Sequence, residues 1–495
     1  MADPRAKVRA RLAMEVGRID KQAPLAVALA YPSPYPVAMS SLGFQRIYRA
    51  LQEAPGVMCE RVFLPDDLEE PGPGATTYES GRPLAAHRIV AVSVAYELEI
   101  AGLIQLLDLA GVPALAELRD ETHPFVLAGG PLTFSNPLPL SPFVDAIVMG
   151  EAEGLVADVC RAIDAAPSKA AARDALRAMP HVFVPEAHGA ELPEIAKADA
   201  SLLPAWAPIR TPDTALSGMF LIETERGCSR ACTYCVMRRS TNGGMRLVPM
   251  ETILERVPRE AEKVGLVGAA VSDHPKIVDL VSTFTERGQS VGLSSLRPDR
   301  LSDAFVGALA RNGTRALTTA MDGPSERLRG MLERRAKETH LVRAAERAKA
   351  HGMRGLKLYL MLGLPTETTD DIDECVRFTT ELSRILPLSL GIAPFCAKRN
   401  TPMDGAAFAG IDVVDDRLDR LRRGVKGRVE VRATSAKWAW VEYVLAQGAA
   451  PEGRAVLDAV RAGATFASYK RAFARLPESR ERRRLRVVGV EDRST

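Results

Sequence analysis

The chain has 495 residues, of which 46% are hydrophobic and 26% charged, and a formal net charge of +3. That length exceeds a single hydrophobic core and implies two or three domains, and the composition excludes extensive disorder. The near-neutral charge gives no reason of its own to expect nucleic acid, and seven cysteines over this length are not a disulfide framework.

Residues 1–23, beginning "MADPRAKVRARLAMEVGRID", read as a charged, helical N-terminal extension without the apolar centre of a signal peptide. No apolar run reaches the roughly 18 residues of a membrane span. The expectation is a cytoplasmic protein with no membrane partner. From 24 to 165, short apolar runs alternate with amphipathic stretches of helix length. The runs are "PLAVALAYP" (24–32), "IVAVSVAY" (89–96), "PFVLAGG" (124–130) and "VDAIVMG" (144–150). Such runs suit strands buried on both faces, and the alternation predicts an α/β, doubly wound, Rossmann-like domain with its ligand side at the carboxyl ends of the strands. Those ends carry Ser93, Gly129, Gly130, Gly150 and Glu151. Glycines there let backbone approach a large flat ligand; the competing reading is that they only make tight turns.

Residues 166–215 read as a connector. From 216 to 400 the alternation resumes with six strand-like runs: "MFLIETERG", "VGLVGAAVSD", "SVGLSSLRPD", "ALTTAMDG", "GLKLYLMLGLP" and "LSLGIAPF". Six such units predict an open, partial (β/α)6 barrel, whose chemistry collects at the carboxyl ends of the strands. The unusual polar residues all fall there: a cysteine triplet, Ser272, Asp273, Ser294, Arg297, Asp322 and Cys396. Residues 401–495 read as a small C-terminal extension.

Cys228, Cys232 and Cys235 form C-x3-C-x2-C in "ETERGCSRACTYCVMRR". A zinc site would want a fourth ligand close by, and no histidine lies between His188 and His274. Three thiolates can instead hold three irons of a four-iron cluster and leave the fourth open to a substrate. Here the sequence resembles the radical S-adenosylmethionine (radical SAM) superfamily, whose signature is CxxxCxxC with an aromatic residue, here Tyr234, before the last cysteine. The resemblance implies a 4Fe-4S cluster as metal centre and S-adenosyl-L-methionine (SAM) chelated to the open iron. Reduction by an external donor of flavodoxin or ferredoxin type would then cleave SAM to a 5′-deoxyadenosyl radical.

The same resemblance implies SAM contacts at the other strand ends. Ser272 and Asp273 stand where the family has a Gly-Gly-Glu-like element for the methionine amine. Arg297 and Ser294, in "SSLRPD", stand on the strand facing the carboxylate, and Asp322 replaces the longer glutamate that contacts ribose. Leu362 to Pro365 would pass near adenine. For Arg297 and Asp322 an ordinary surface ion pair is the competing reading. The amino-terminal half resembles the cobalamin-binding domain that precedes the radical domain in one class of these enzymes. Cobalamin's nucleotide tail would pass Ser93 and the Gly129–Gly130 turn, with Gly150 and Glu151 nearby. The loop "YPSPYPVAMSSLG" supplies no lower histidine for cobalt.

"APFCAKRNTPM" (393–403) resembles the end of the radical domain in tRNA and ribosomal methylthiotransferases, and "RLDRLRRGVKGRVEVR" (417–432) and "SRERRRLR" (479–486) are arginine-rich. RNA is therefore not excluded as a partner, although interspersed acids favour ordinary solvated helices. Only Cys59 and Cys160 precede the triplet, too few for a second three-thiolate cluster. Cys396, at the end of the sixth strand, reads either as a thiol that meets a substrate radical or as a small hydrophobe. Three functions remain open: a cobalamin-dependent radical enzyme of methyltransferase type on an unknown substrate, a cobalamin-independent radical enzyme with a scaffold domain, and a non-catalytic iron–sulfur redox sensor.

Overall fold

The structure is a computed structural model that describes residues 5–68, 74–237, 244–294 and 296–476; the arginine run 479–486 lies outside them. The chain divides into two compact units, Met1–Phe220 with Val444–Thr495, and Leu221–Tyr443. The expected extension 401–495 is thus split between the two.

The first unit is built on β1 (Leu25–Pro34), β2 (Val57–Leu64), β3 (Ile89–Ser93), β4 (Phe125–Gly129), β5 (Ala146–Val148) and β6 (Val182–Phe183), in the spatial order β2-β1-β3-β4-β5-β6. All neighbours run parallel except β5 and β6. Every residue of β2 and β3 is buried, as continuous apolar runs covered on both faces should be. The order reverses between β1 and β3, the switch point where ligands of such sheets usually bind.

β2 is the strand the sequence hides. It carries Glu60 and Arg61 in mid-strand, an unusual pattern for a sheet interior. Arg61 is fully buried and satisfied by two acids, Glu15 at 2.7 and 2.8 Å and Glu79 at 2.6 Å. The C-terminal segment returns to this unit because Asn136 donates its amide to the carbonyls of Ala446 (3.0 Å) and Gly448 (2.8 Å). Gly453 there approaches Pro139 so closely that a Cβ would lie 1.9 Å from its carbonyl oxygen.

The second unit begins with β7 (Met219–Glu223), followed by a short antiparallel ribbon of β8 (Glu225–Arg226) and β9 (Arg246–Leu247). Then come β10 (Lys263–Val267), β11 (Ser290–Leu293), β12 (Ala316–Asp322), β13 (Gly355–Leu362), β14 (Leu388–Pro394) and β15 (Val429–Ala433). The strands β7, β10 and β11 form one sheet and β12 to β15 another, joined by a parallel bridge from Leu296 to Thr319. All six expected strands are present, in chain order around an open barrel, and β15 adds a seventh. The helix Ile411–Gly424 before β15 explains the arginine run: Arg417 pairs with Glu367 (2.9 Å) and Arg420 with Asp373 (2.6 Å). No described helix is long and apolar enough to cross a membrane.

Candidate functional site

The cysteine loop leaves β8 through Gly227, whose φ of +81° favours glycine and whose Cβ would lie 2.1 Å from the Gly244 carbonyl oxygen. Thr233 anchors it from the far side, its N–H on the Leu332 carbonyl at 3.1 Å. Cys228, Cys232 and Cys235 form no disulfide; Cys232 is buried and the other two half-buried. Burial pushes all three thiols up, Cys235 to about 11, with the charges of Cys232 and Cys228 adding to the rise at Cys235. Loading a metal centre here must therefore release protons. Three unbridged thiols in one loop at the end of a barrel strand have the donor chemistry of an iron–sulfur centre, although among the described residues no three His, Cys, Asp or Glu side chains already stand in a metal-holding arrangement.

Two ionic groups stand at the neighbouring strand ends. In the first, Asp322 ends β12 at a register shift with a φ of +64°, a bulge that re-aims its side chain. It pairs with Arg334. Against burial, the Asp322 carboxylate holds the Arg334 guanidinium firmly charged. Tyr234 packs on the cluster of Leu328, Leu332, Leu364 and Phe395, together with Met331, Met361 and Met403. In the second group, Ser272, Asp273 and Arg297 meet. Ser272 Oγ accepts the Arg297 N–H at 3.1 Å, and the Arg297 guanidinium is shared between Asp273 and Asp299. Arg230, inside the cysteine loop, pairs with the same Asp299 at 2.9 Å.

The remaining expected residues are less involved. Ser294 is exposed, its hydroxyl 3.5 Å from the Gly268 carbonyl. Leu362 is fully buried and Pro365 half-buried, and between them the backbone N–H groups of Gly363 and Leu364 are held by the Glu367 carboxylate at 2.9–3.3 Å. The Cys396 thiol donates to the Ala439 carbonyl at 3.1 Å, on the helix Ala436–Gln447, so it has a structural partner. Cys59 and Cys160 are buried in the core of the first unit.

Two residues escaped the sequence reading. Arg334 is one. The other is Glu225, 1% exposed, whose carboxylate accepts the Ala270 N–H at 2.8 Å and the Thr224 hydroxyl. Burial, with Glu223 and Asp273 adding, pushes its carboxyl up to about 7. Its signal was an acid at the end of an apolar strand, three residues before the first cysteine.

At the strand ends of the first unit the chain fills its own space. Gly130 has a φ of +107° and a Cβ there would lie 2.6 Å from the Val94 carbonyl oxygen and 3.2 Å from Ser93 Oγ. Thr133 bonds Gly130 and Gly150 together, at 2.7 and 3.0 Å. Gly150 (φ +83°) lies against Ala196, with a Cβ only 2.6 Å from its carbonyl oxygen, and the Glu151 carboxylate accepts the Ala198 N–H at 2.7 Å. Gly129 would meet only the Val148 carbonyl, at 3.5 Å. These positive-φ glycines serve turns and close contacts with the chain's own backbone.

Residues 43–185 match a family model described as radical SAM proteins, N-terminal, and residues 222–379 match the radical SAM superfamily model. An uncharacterised protein of Methanocaldococcus jannaschii is 28% identical over 304 residues, 59% of this chain and 64% of that protein. The ribosomal protein uS12 methylthiotransferase RimO of Anaeromyxobacter sp. (strain K) is 26% identical over 221 residues, 41% of this chain and 45% of that one. The chain therefore spans less than two thirds of these relatives. Among solved structures, the cobalamin-dependent S-adenosylmethionine radical enzyme OxsB, with aqua-cobalamin and S-adenosylmethionine bound, shares the fold. Its TM-score is 0.54 at 13% identity, over 82% of this chain and 58% of that one.

The chain belongs to the radical SAM superfamily, with the N-terminal domain of radical SAM proteins ahead of the barrel. Membership brings a 4Fe-4S cluster and SAM as the cofactors of the radical SAM domain.

Proposed function

We propose that Cys228, Cys232 and Cys235 hold the cluster, that SAM lies across the carboxyl ends of β10 to β13, and that the protein opens a radical reaction on its substrate. The observation that carries this reading is the set of three unbridged thiols in one loop after the first barrel strand, with the half-buried Asp322–Arg334 ion pair at the end of another. When bound, the cluster supplies the electron that cleaves SAM to a hydrogen-abstracting radical. Asp322, aimed by its bulge, offers acceptors for ribose hydroxyls. Asp273 suits the methionine amine and Arg297 its carboxylate, a planar fork against a planar group. Tyr234 and the methionines packed beside it exclude water from the reacting end. The electron comes from an external donor of flavodoxin or ferredoxin type.

The reaction beyond SAM cleavage turns on the role of the first unit, which has two readings. Its fold likeness to a cobalamin-dependent enzyme supports a methyltransferase-type reaction, for which bound cobalamin would supply the methyl carrier. The close contacts of the Gly130 and Gly150 turns with the chain's own backbone suit a cobalamin-independent reaction with this unit as scaffold or substrate-binding module. The protein reconstituted anaerobically with iron and sulfide, then passed over a desalting column with hydroxocobalamin, divides the two by its visible spectrum. Equimolar retained cobalamin establishes the first reading; none establishes the second.

A further inference from the structure

A cleft of about 390 Å³ opens in the first unit at the amino ends of β3 and β4, the opposite ends from those described above. Arg82, Arg88, Glu121, Ser168 and Lys169 are among the residues that line it. Lys169 begins the helix Lys169–Arg177, behind its cap Ser168, and is 8% exposed. A lysine at a surface ordinarily covers its stem and keeps its head in water. Here the amine nitrogen itself is covered and makes no hydrogen bond. The acids nearby are already taken. The Asp145 carboxylate is divided between Arg119 at 3.1 Å and Arg173 at 3.3 Å, and Glu121 accepts the Lys169 backbone N–H at 3.0 Å on both oxygens. Position adds to the misfit, since a cation at a helix N-terminus meets the positive end of the dipole, and Arg173 follows it at i+4 with a like charge.

Two further cations line the same cleft. Arg88 gives part of its guanidinium to the carbonyls of Ile163 (3.2 Å) and Ala166 (2.5 Å), with Asp164 at 3.5 Å, and Arg82 donates to the Ala86 carbonyl. A guanidinium has five N–H donors, so both keep some to spare. Ser168 Oγ accepts the Ala171 N–H at 3.1 Å, which leaves its own proton to donate. We propose that this cleft binds an oxyanion of the phosphate class, either inorganic phosphate or the phosphate group of a small ester, and that Lys169 is the residue that requires one. A buried charge is stable only when it is paired, and phosphate brings acceptors enough for an amine, two guanidinium groups and a hydroxyl at once. Lysine holds phosphate as a point charge, and its flexible stem lets the head turn to an anion that enters. All of these residues belong to the first unit, so the inference is independent of the cluster assignment.

The test is isothermal titration calorimetry of inorganic phosphate into the full chain, reconstituted anaerobically, at neutral pH and an ionic strength held constant with chloride. The parent is compared with Lys169→Met and Arg88→Gln. The parent should bind phosphate saturably, and Lys169→Met should weaken that binding about tenfold or more, the loss of one charge-assisted hydrogen bond. Arg88→Gln should weaken it by a smaller factor. Methionine keeps the straight stem and removes an unpaired charge, so without phosphate the melting temperature of Lys169→Met should equal or exceed the parent's. A parent that shows no saturable heat overturns the proposal, as does a Lys169→Met protein that binds as tightly as the parent. Should Lys169→Met fail to fold, Arg88→Gln decides, and unchanged affinity there overturns it. Glycerol 3-phosphate titrated in the same way separates the two sources: binding tighter than that of inorganic phosphate supports an ester as the ligand, and weaker binding supports the free ion.

Discussion

The carboxyl ends of parallel strands occur twice in this chain, and the two sets are used differently. At the ends of β10, β11 and β12, charged groups are gathered around three thiols: Asp322 with Arg334, and Asp273 and Asp299 with Arg297 and Arg230. At the ends of β3, β4 and β5 the chain satisfies itself, with Gly130 on Val94, Gly150 on Ala196 and Glu151 on the Ala198 amide. The first unit's strongest ionic group, Arg61 with Glu15 and Glu79, instead sits within its sheet packing. A strand end marks where chemistry can be placed; the barrel's ends add three unbridged thiols to paired charges, whereas the first unit's add backbone turns and a carboxylate on an amide.

The largest effect on this contrast should come from Arg61→Ala. It leaves the fully buried Glu15 carboxylate without its guanidinium, and breaking a buried pair from one side costs about 3–5 kcal/mol. Urea unfolding of the two proteins at neutral pH measures it, and a loss under about 1 kcal/mol would mean that Arg61 is not what holds β2 in the sheet.

Glu225 gives the next effect, as a pH dependence. Its carboxyl has an ordinary value of 4.5 and is raised to about 7 in the folded chain. Between those values the folded state keeps a proton that the unfolded state has released, so this group's contribution falls as pH rises through that window and is level above it. The span is worth roughly 3 kcal/mol at most. Glu225→Gln should flatten the stability profile between about pH 4.5 and about pH 7, the window set by that raised carboxyl. A profile as steep as the parent's would show that other groups produce the slope.

Gly130→Ala sharpens the comparison from the other side. With a φ of +107° and the Val94 oxygen in the way, it should lose roughly 1–3 kcal/mol in the absence of any ligand. If the turn instead opens to a nucleotide tail, this variant would keep its stability and lose cobalamin retention. Cys396→Ser should do least: a serine hydroxyl can still donate to Ala439, so stability should stay within about 1 kcal/mol and SAM cleavage unchanged. Continued 5′-deoxyadenosine release with product formation lost would restore a chemical role to that thiol.

How much of the molecule was legible in the sequence depends on where each signal lives. Strands such as β1, β3 and β4 are continuous apolar runs and the cysteine triplet is contiguous, so both are visible in a short window. β2 is not, because Arg61 in mid-strand is tolerable only with Glu15 and Glu79, 46 and 18 residues away. β15, five residues with Glu430 and Arg432 exposed, carries too little apolar pattern to stand out from the charged helix before it. Arg334 lies about a hundred residues from Cys232, and nothing local distinguishes it from Arg335. Asp322, Arg297 and Asp273 were found by position, but Arg334 and Asp299, which pair with them in the fold, were not.

The central claim is that three thiols at the mouth of the barrel hold the cluster that cleaves SAM. The most direct test is iron and 5′-deoxyadenosine measured on the same anaerobically reconstituted samples, with a strong reductant and SAM, for the parent and for the variant carrying Cys228→Ala, Cys232→Ala and Cys235→Ala together. The account predicts about four irons per chain and steady 5′-deoxyadenosine release in the parent, and neither in the variant. Normal iron content in the variant would contradict it.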